Sequence, residues 1–222
     1  MKEIPSDKLN VRNDIVYEIN SQIPFTGYEV HHHTTGEIEF KFCYKDGQKE
    51  GESITYYLSG QWRSKSTHKK GELNGLFESY YENGQLESKA TYKNDVLDGL
   101  FESYYENGQL ESKGTYKNSV EDGPWELYNE NGQLESKGTY KNGIYDGPWE
   151  FYNEMVSWNQ KVPSKSIATY KNGVEDGPSE IYHENGQLAL KSTYKNGVHD
   201  GPFEGYYLSL IHISEPTRQE AI

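Results

Sequence analysis

The 222 residues carry 33% hydrophobic and 14% aromatic side chains, with 22 Gly, 20 Tyr, a single Cys and a formal net charge of −13. Glycine weakens helix interiors while aromatic rings suit a pleated surface, so this mix excludes a helical bundle and points to an all-β chain buried by its rings. The charge disfavours direct binding to nucleic acid or to an anionic membrane, and one cysteine cannot form an intrachain disulfide; the expected compartment is cytoplasmic and the expected partner a basic protein.

In chain order, residues 1–24 read as a lead segment. Its opening, MKEIPSDKLNVRNDIVYEIN, lacks the apolar stretch of a signal peptide, and no later segment approaches a membrane span, so export by that route is not expected. His31-His32-His33 is the nearest approach to a metal site. Neighbouring strand residues point to opposite faces, so only His31 and His33 can converge, and two ligands do not make a zinc site. Cys43 beside Tyr44 reads as a small strand residue.

From residue 25 to 207 self-similarity dominates. Gly27, Gly51, Gly75, Gly99, Gly123 and Gly147 lie 24 residues apart; Gly177 follows after 30, and Gly201 restores the step. Residues 76–99 and 100–123 differ at only three positions, Ala90/Gly114, Asp95/Ser119 and Leu97/Glu121. Each unit reads as two alternating runs around an Asn-Gly pair, Asn83-Gly84 in FESYYENGQLESKATYK, which signals a hairpin with a type I′ turn. With Asn83 and Gly84 as the loop, Tyr81 faces Leu86, Glu78 faces Lys89 and Phe77 faces Ala90. In later units Phe101 faces Gly114 and Trp125 faces Gly138, large against small. Alternation places Phe77, Ser79, Tyr81, Leu86, Ser88, Ala90 and Tyr92 on one face and Glu78, Tyr80, Glu87, Lys89 and Thr91 on the other. A second turn, at Asn142-Gly143, Asn172-Gly173 and Asn196-Gly197, leads into Asp-Gly-Pro, where Gly123 or Gly147 makes a kink and Pro124, Pro148, Pro178 and Pro202 start a strand. The expected architecture is an elongated antiparallel β-meander, a solenoid-like single-layer sheet of about seven to eight hairpin units.

Two segments depart from the pattern. A six-residue insertion within 154–168, EMVSWNQKVPSKSIA, removes the Asn-Gly turn and places Met155, Val156, Trp158 and Val162 in a loop, which reads either as a decayed repeat with a flexible loop or as a partner epitope. Leu208 to Arg218, LSLIHISEPTR, breaks the repeat and reads like the in-frame translation of a transposase-type sequencing-library adapter. Residues 208–222 are therefore expected to be a non-native tail, with the natural protein continuing past Tyr207; the alternative is a native apolar tail that caps the last hairpin.

The repeated run GPWELYNENGQLESKGTYKNG and its copies resemble the MORN-variant repeats of the YwqK family of bacterial antitoxins, over about Ile15 to Tyr207. IVYEINSQIPFTGYEV is similar to the way such chains begin. The resemblance implies a tandem hairpin fold and a role in a toxin-antitoxin system, and it supplies no binding residues to carry over.

Catalysis needs one asymmetric constellation, whereas carboxylate pairs such as Glu78 and Glu87 recur in nearly every unit and read as a solvated face. No Ser-His-Asp set, phosphate-cradling glycine loop or Cys-His pair is visible, so neither an enzyme nor a cofactor is expected. The leading expectation is an antitoxin or immunity-type protein that sequesters a basic toxin. Partner contact would fall on Phe77, Tyr81, Phe101, Tyr105, Trp125 and Trp149, with Met155 and Trp158 in the insertion. The alternative is a structural scaffold or surface-repeat protein.

Overall fold

A computed structural model describes residues 1–157 and 160–206, with the backbone alone over 153–157 and 160–164. One sheet of 19 strands dominates. From Gly27–His32 to Glu204–Gly205, strands that are neighbours in sequence pair antiparallel in space, and the sheet does not close. The meander is purely antiparallel except at its first edge, where Glu3–Pro5 pairs parallel with Gly27–His32. A parallel pair needs a crossover, and the hairpin of Leu9–Arg12 with Ile15–Glu18 supplies it. This lead segment packs onto the first repeat through a core of Ile4, Val16, Phe25 and Tyr44, flanked by Leu9 and Phe42. Backbone bonds from Val16 to the Gly47 carbonyl and from Gly47 to the Phe25 carbonyl tie it to the first inter-unit turn.

The two kinds of turn differ. At the second turn both central residues have positive φ, as in Asn142 (51°) and Gly143 (77°), and Lys141 pairs with Ile144 across a two-residue loop. That is the type I′ geometry, whose twist matches the flanking strands. Each such turn docks on the unit before it: Ser119 N–H donates to the Leu97 carbonyl at 2.8 Å and Gly143 N–H to the Glu121 carbonyl at 2.9 Å.

The Asn83-Gly84 turn is not type I′, which corrects the sequence reading. Only Gly84 has positive φ (86°), Gly84 N–H donates to the Tyr81 carbonyl and Tyr81 N–H to the Gln85 carbonyl. This is a three-residue loop, a type I turn closed by a glycine bulge. The predicted pairs Phe77↔Ala90 and Glu78↔Lys89 hold, but the register slips between Ser79 and Tyr80, so Tyr80, not Tyr81, faces Leu86. The glycines of the 24-residue period mark a second irregularity. At Gly99 φ is 137°, a Cβ would lie 2.9 Å from the Thr91 Cβ, and the ladder skips between Leu97 and Phe101. The bend foreseen at Gly123 and Gly147 is therefore a bulge repeated in each unit.

The insertion does not form a loop over its described residues, a second correction. Gly147–Ser157 and Gln160–Lys171 pair without interruption from Gly147↔Tyr170 to Ser157↔Gln160. Six residues add three to each strand, which preserves the alternation of faces and lengthens the hairpin.

Candidate partner-binding faces

Alternation gives each hairpin an inner face of rings and small residues. Trp149 is fully enclosed, and Trp125 is 7% exposed. Their indole N–H groups donate to the carbonyls of Thr139 (3.0 Å) and Thr115 (3.3 Å) in the preceding unit. The size match runs between units. Trp125 pairs in register with Gly138, as expected, but its ring lies over Gly114 of the unit before it, and Trp149 lies over Gly138 in the same way. Phe101 is stacked on Trp125 at 6.0 Å; Tyr140 meets Trp149 edge-on at 5.0 Å, and Tyr145 stacks on Trp149 at 4.0 Å. Ala90, 3% exposed, takes the small-residue place opposite Phe77 and Phe101. Inner-face serines meet in pairs, Ser79 with Ser88 and Ser103 with Ser112, each at 2.7 Å, so these part-buried hydroxyls are satisfied. The predicted register places each pair opposite, a signal that was present in the sequence.

The outer face carries charge in rows. The strand register lines up Lys65, Glu78, Lys89, Glu102, Lys113 and Glu126 across successive strands. Lys113 bridges to Glu126 of the next unit at 2.8 Å, and Lys165 to Glu150 at 2.9 Å. Tyrosines two residues beyond the glutamates donate to them, Tyr80 to Glu78 and Tyr104 to Glu102, both at 2.8 Å. Burial first, and then the adjacent carboxylate, pushes the Tyr80 and Tyr104 hydroxyls up to about 12. Hydrogen bonds from Lys113 and then Tyr128 hold the Glu126 carboxyl below its usual value.

Of the residues singled out for partner contact, Phe77, Phe101, Tyr81 and Tyr105 are half-buried, while Trp125 and Trp149 are core. The Tyr81 hydroxyl donates to the Tyr104 carbonyl at 2.7 Å and that of Tyr105 to the Tyr128 carbonyl at 2.8 Å, so both staple one unit to the next. The Met155 backbone pairs with Val162. The Met155 side chain, Trp158 and the tail 208–222 lie outside the described residues. His31 and His33 both approach Glu39, at 3.6 and 4.0 Å, and His31 stacks on Phe40. Among the described residues no group of three His, Cys, Asp or Glu side chains could hold a metal ion. Cys43 is buried, which pushes its thiol up.

A family profile described as MORN repeat variant matches residues 73–94, 97–118, 121–142 and 175–196. Comparison with curated proteins finds no match. Each matched segment is one hairpin, running from the strand after one type I′ turn into the next such turn. The hairpins at 27–45 and 51–69, outside the match, repeat the same pairing scheme, and 147–171 starts it at Gly147↔Tyr170 but continues as a longer, unshifted ladder. In those four segments the chain carries MORN-variant repeats.

Proposed function

We propose that the chain is a non-enzymatic binding protein that sequesters a basic protein partner, in the manner of an antitoxin. The supporting observation is the division of labour among the rings: Trp125 and Trp149 are consumed in packing between units, whereas Phe77, Tyr81, Phe101 and Tyr105 stay partly open, on a molecule of net charge −13. Complementary charge speeds encounter with a basic partner and fades as salt rises. The half-buried Tyr81, Tyr105, Phe77 and Phe101, and the lengthened hairpin bearing Met155 and Trp158, are the proposed contacts. Co-expression with the product of the adjacent gene should give a complex that co-purifies at low salt and rescues growth if that product is toxic. Failure of both would remove the reading.

A structural scaffold is the second reading, favoured by the near-identity of residues 76–99 and 100–123. Deleting residues 100–123 joins Gly99 to Pro124 in register. A scaffold retains its partner after this deletion, and a shape-matched inhibitor loses affinity.

A further inference from the structure

Val96, Val120, Ile144, Val174 and Val198 each follow a type I′ turn and occupy equivalent places in successive units. They are 37, 40, 43, 45 and 68% exposed, and they make up five of the sixteen large apolar side chains left open on the described surface. Two strands per unit put successive members about 10 Å apart, so the stripe runs for about 40 Å along one long margin of the sheet. The turn does not impose it. The same place in the first two units holds Gln48 and Glu72, which pair with Lys45 and Lys69 as Val120 pairs with Lys117. Three stripe residues also lean over the next turn, Val120 over Gly143, Ile144 over Gly173 and Val174 over Gly197, yet more than a third of the surface of each stays open.

The charges beside the stripe nearly balance. Every member has a lysine three residues before it and an aspartate two residues after it, five of each, and Asp95 beside Val96 adds one further carboxylate, on a chain of net charge −13. The residue between points inward, where Glu121 and Glu175 accept hydrogen bonds from the Tyr116 and Tyr170 hydroxyls. Two such margins can therefore meet with little of the like-charge repulsion the rest of the surface would bring. The order of the five is symmetric about Ile144.

We infer that this margin is a self-association surface, on which a second copy of the chain docks antiparallel about a two-fold axis at Ile144. Ile144 then meets its own counterpart, Val120 meets the partner copy's Val174, and Val96 meets its Val198. A self-complementary patch of this kind closes at two copies. Its strip shape buries on the order of 800 Å² in total, which belongs to weak, exchanging dimers. The inference is independent of the antitoxin reading, because an apolar contact persists at high salt where a charge-steered complex weakens.

Sedimentation velocity of the full chain from about 1 to about 100 µM is the test, a range that brackets a weak dimer. The expected result is a concentration-dependent rise from one chain toward two that survives high salt. Ile144→Lys should abolish the rise while leaving the far-UV spectrum unchanged. Under oxidation, Ile144→Cys should cross-link to itself, whereas Val96→Cys should link only when mixed with Val198→Cys; Cys43 is buried and stays out of the reaction. A chain that remains monomeric at the highest concentration, a dimer indifferent to Ile144→Lys, or self-linking of Val96→Cys would each overturn the inference.

Discussion

At Gly138 the missing side chain is the point. A Cβ there would sit inside the contact shell of the Trp149 ring, which has no exposed surface and no room to move aside. Overpacking of this kind costs about 1–3 kcal/mol, and Gly138→Ala should lower urea stability by that amount, read by tryptophan fluorescence. Trp149→Ala leaves a cavity and should cost about 3–5 kcal/mol in the same assay. Titration belongs to the same scale. The Tyr80 and Tyr104 hydroxyls ionise in the folded state near 12 against an ordinary value of 10.0, so the fold binds these protons more tightly than the unfolded chain does. Their stabilising contribution is whole below the ordinary value and is lost as pH rises through the folded one. Equilibrium unfolding should therefore weaken between about pH 10 and about 12, and Tyr80→Phe with Tyr104→Phe should flatten that decline.

In each hairpin, Tyr81 acts between units: its hydroxyl reaches the Tyr104 carbonyl. Tyr81→Phe removes that bond and should cost about 1 kcal/mol in urea unfolding. The pairings Phe77↔Ala90 and Trp125↔Gly138 and the bends at the periodic glycines were legible in the sequence, because alternation and the spacing of glycines fix them. The turn at Asn83-Gly84 was not. Asn-Gly serves both a two-residue and a three-residue loop, and the choice rests on a bond between Tyr81 and Gln85 that no dipeptide reveals. Register also names the residue opposite Trp125 without telling which glycine its ring covers. Side-chain lean across the sheet decides that, and it carries the ring to Gly114. The insertion misled for a related reason: loss of a turn motif looks like a loop, yet an even number of added residues lets both strands continue.

Across the whole molecule, stability should follow position. Each unit is closed by hydrogen bonds, rings and turns from its neighbours, so central units are held on both sides. The first end differs, since residues 1–26 pack the Ile4, Val16 and Phe25 core onto it. Deleting residues 1–24 should expose that core and lower the thermal midpoint more than deleting residues 100–123, which only shortens the stack.

Hydrogen exchange of the full chain against Trp149→Ala, resolved by peptide, tests most directly the claim that each hairpin is completed by the next. Loss of the ring should speed exchange in both flanking hairpins, at 123–141 and 174–195, as well as in its own. Faster exchange confined to 147–171 would show that the hairpins stand alone and would contradict the account.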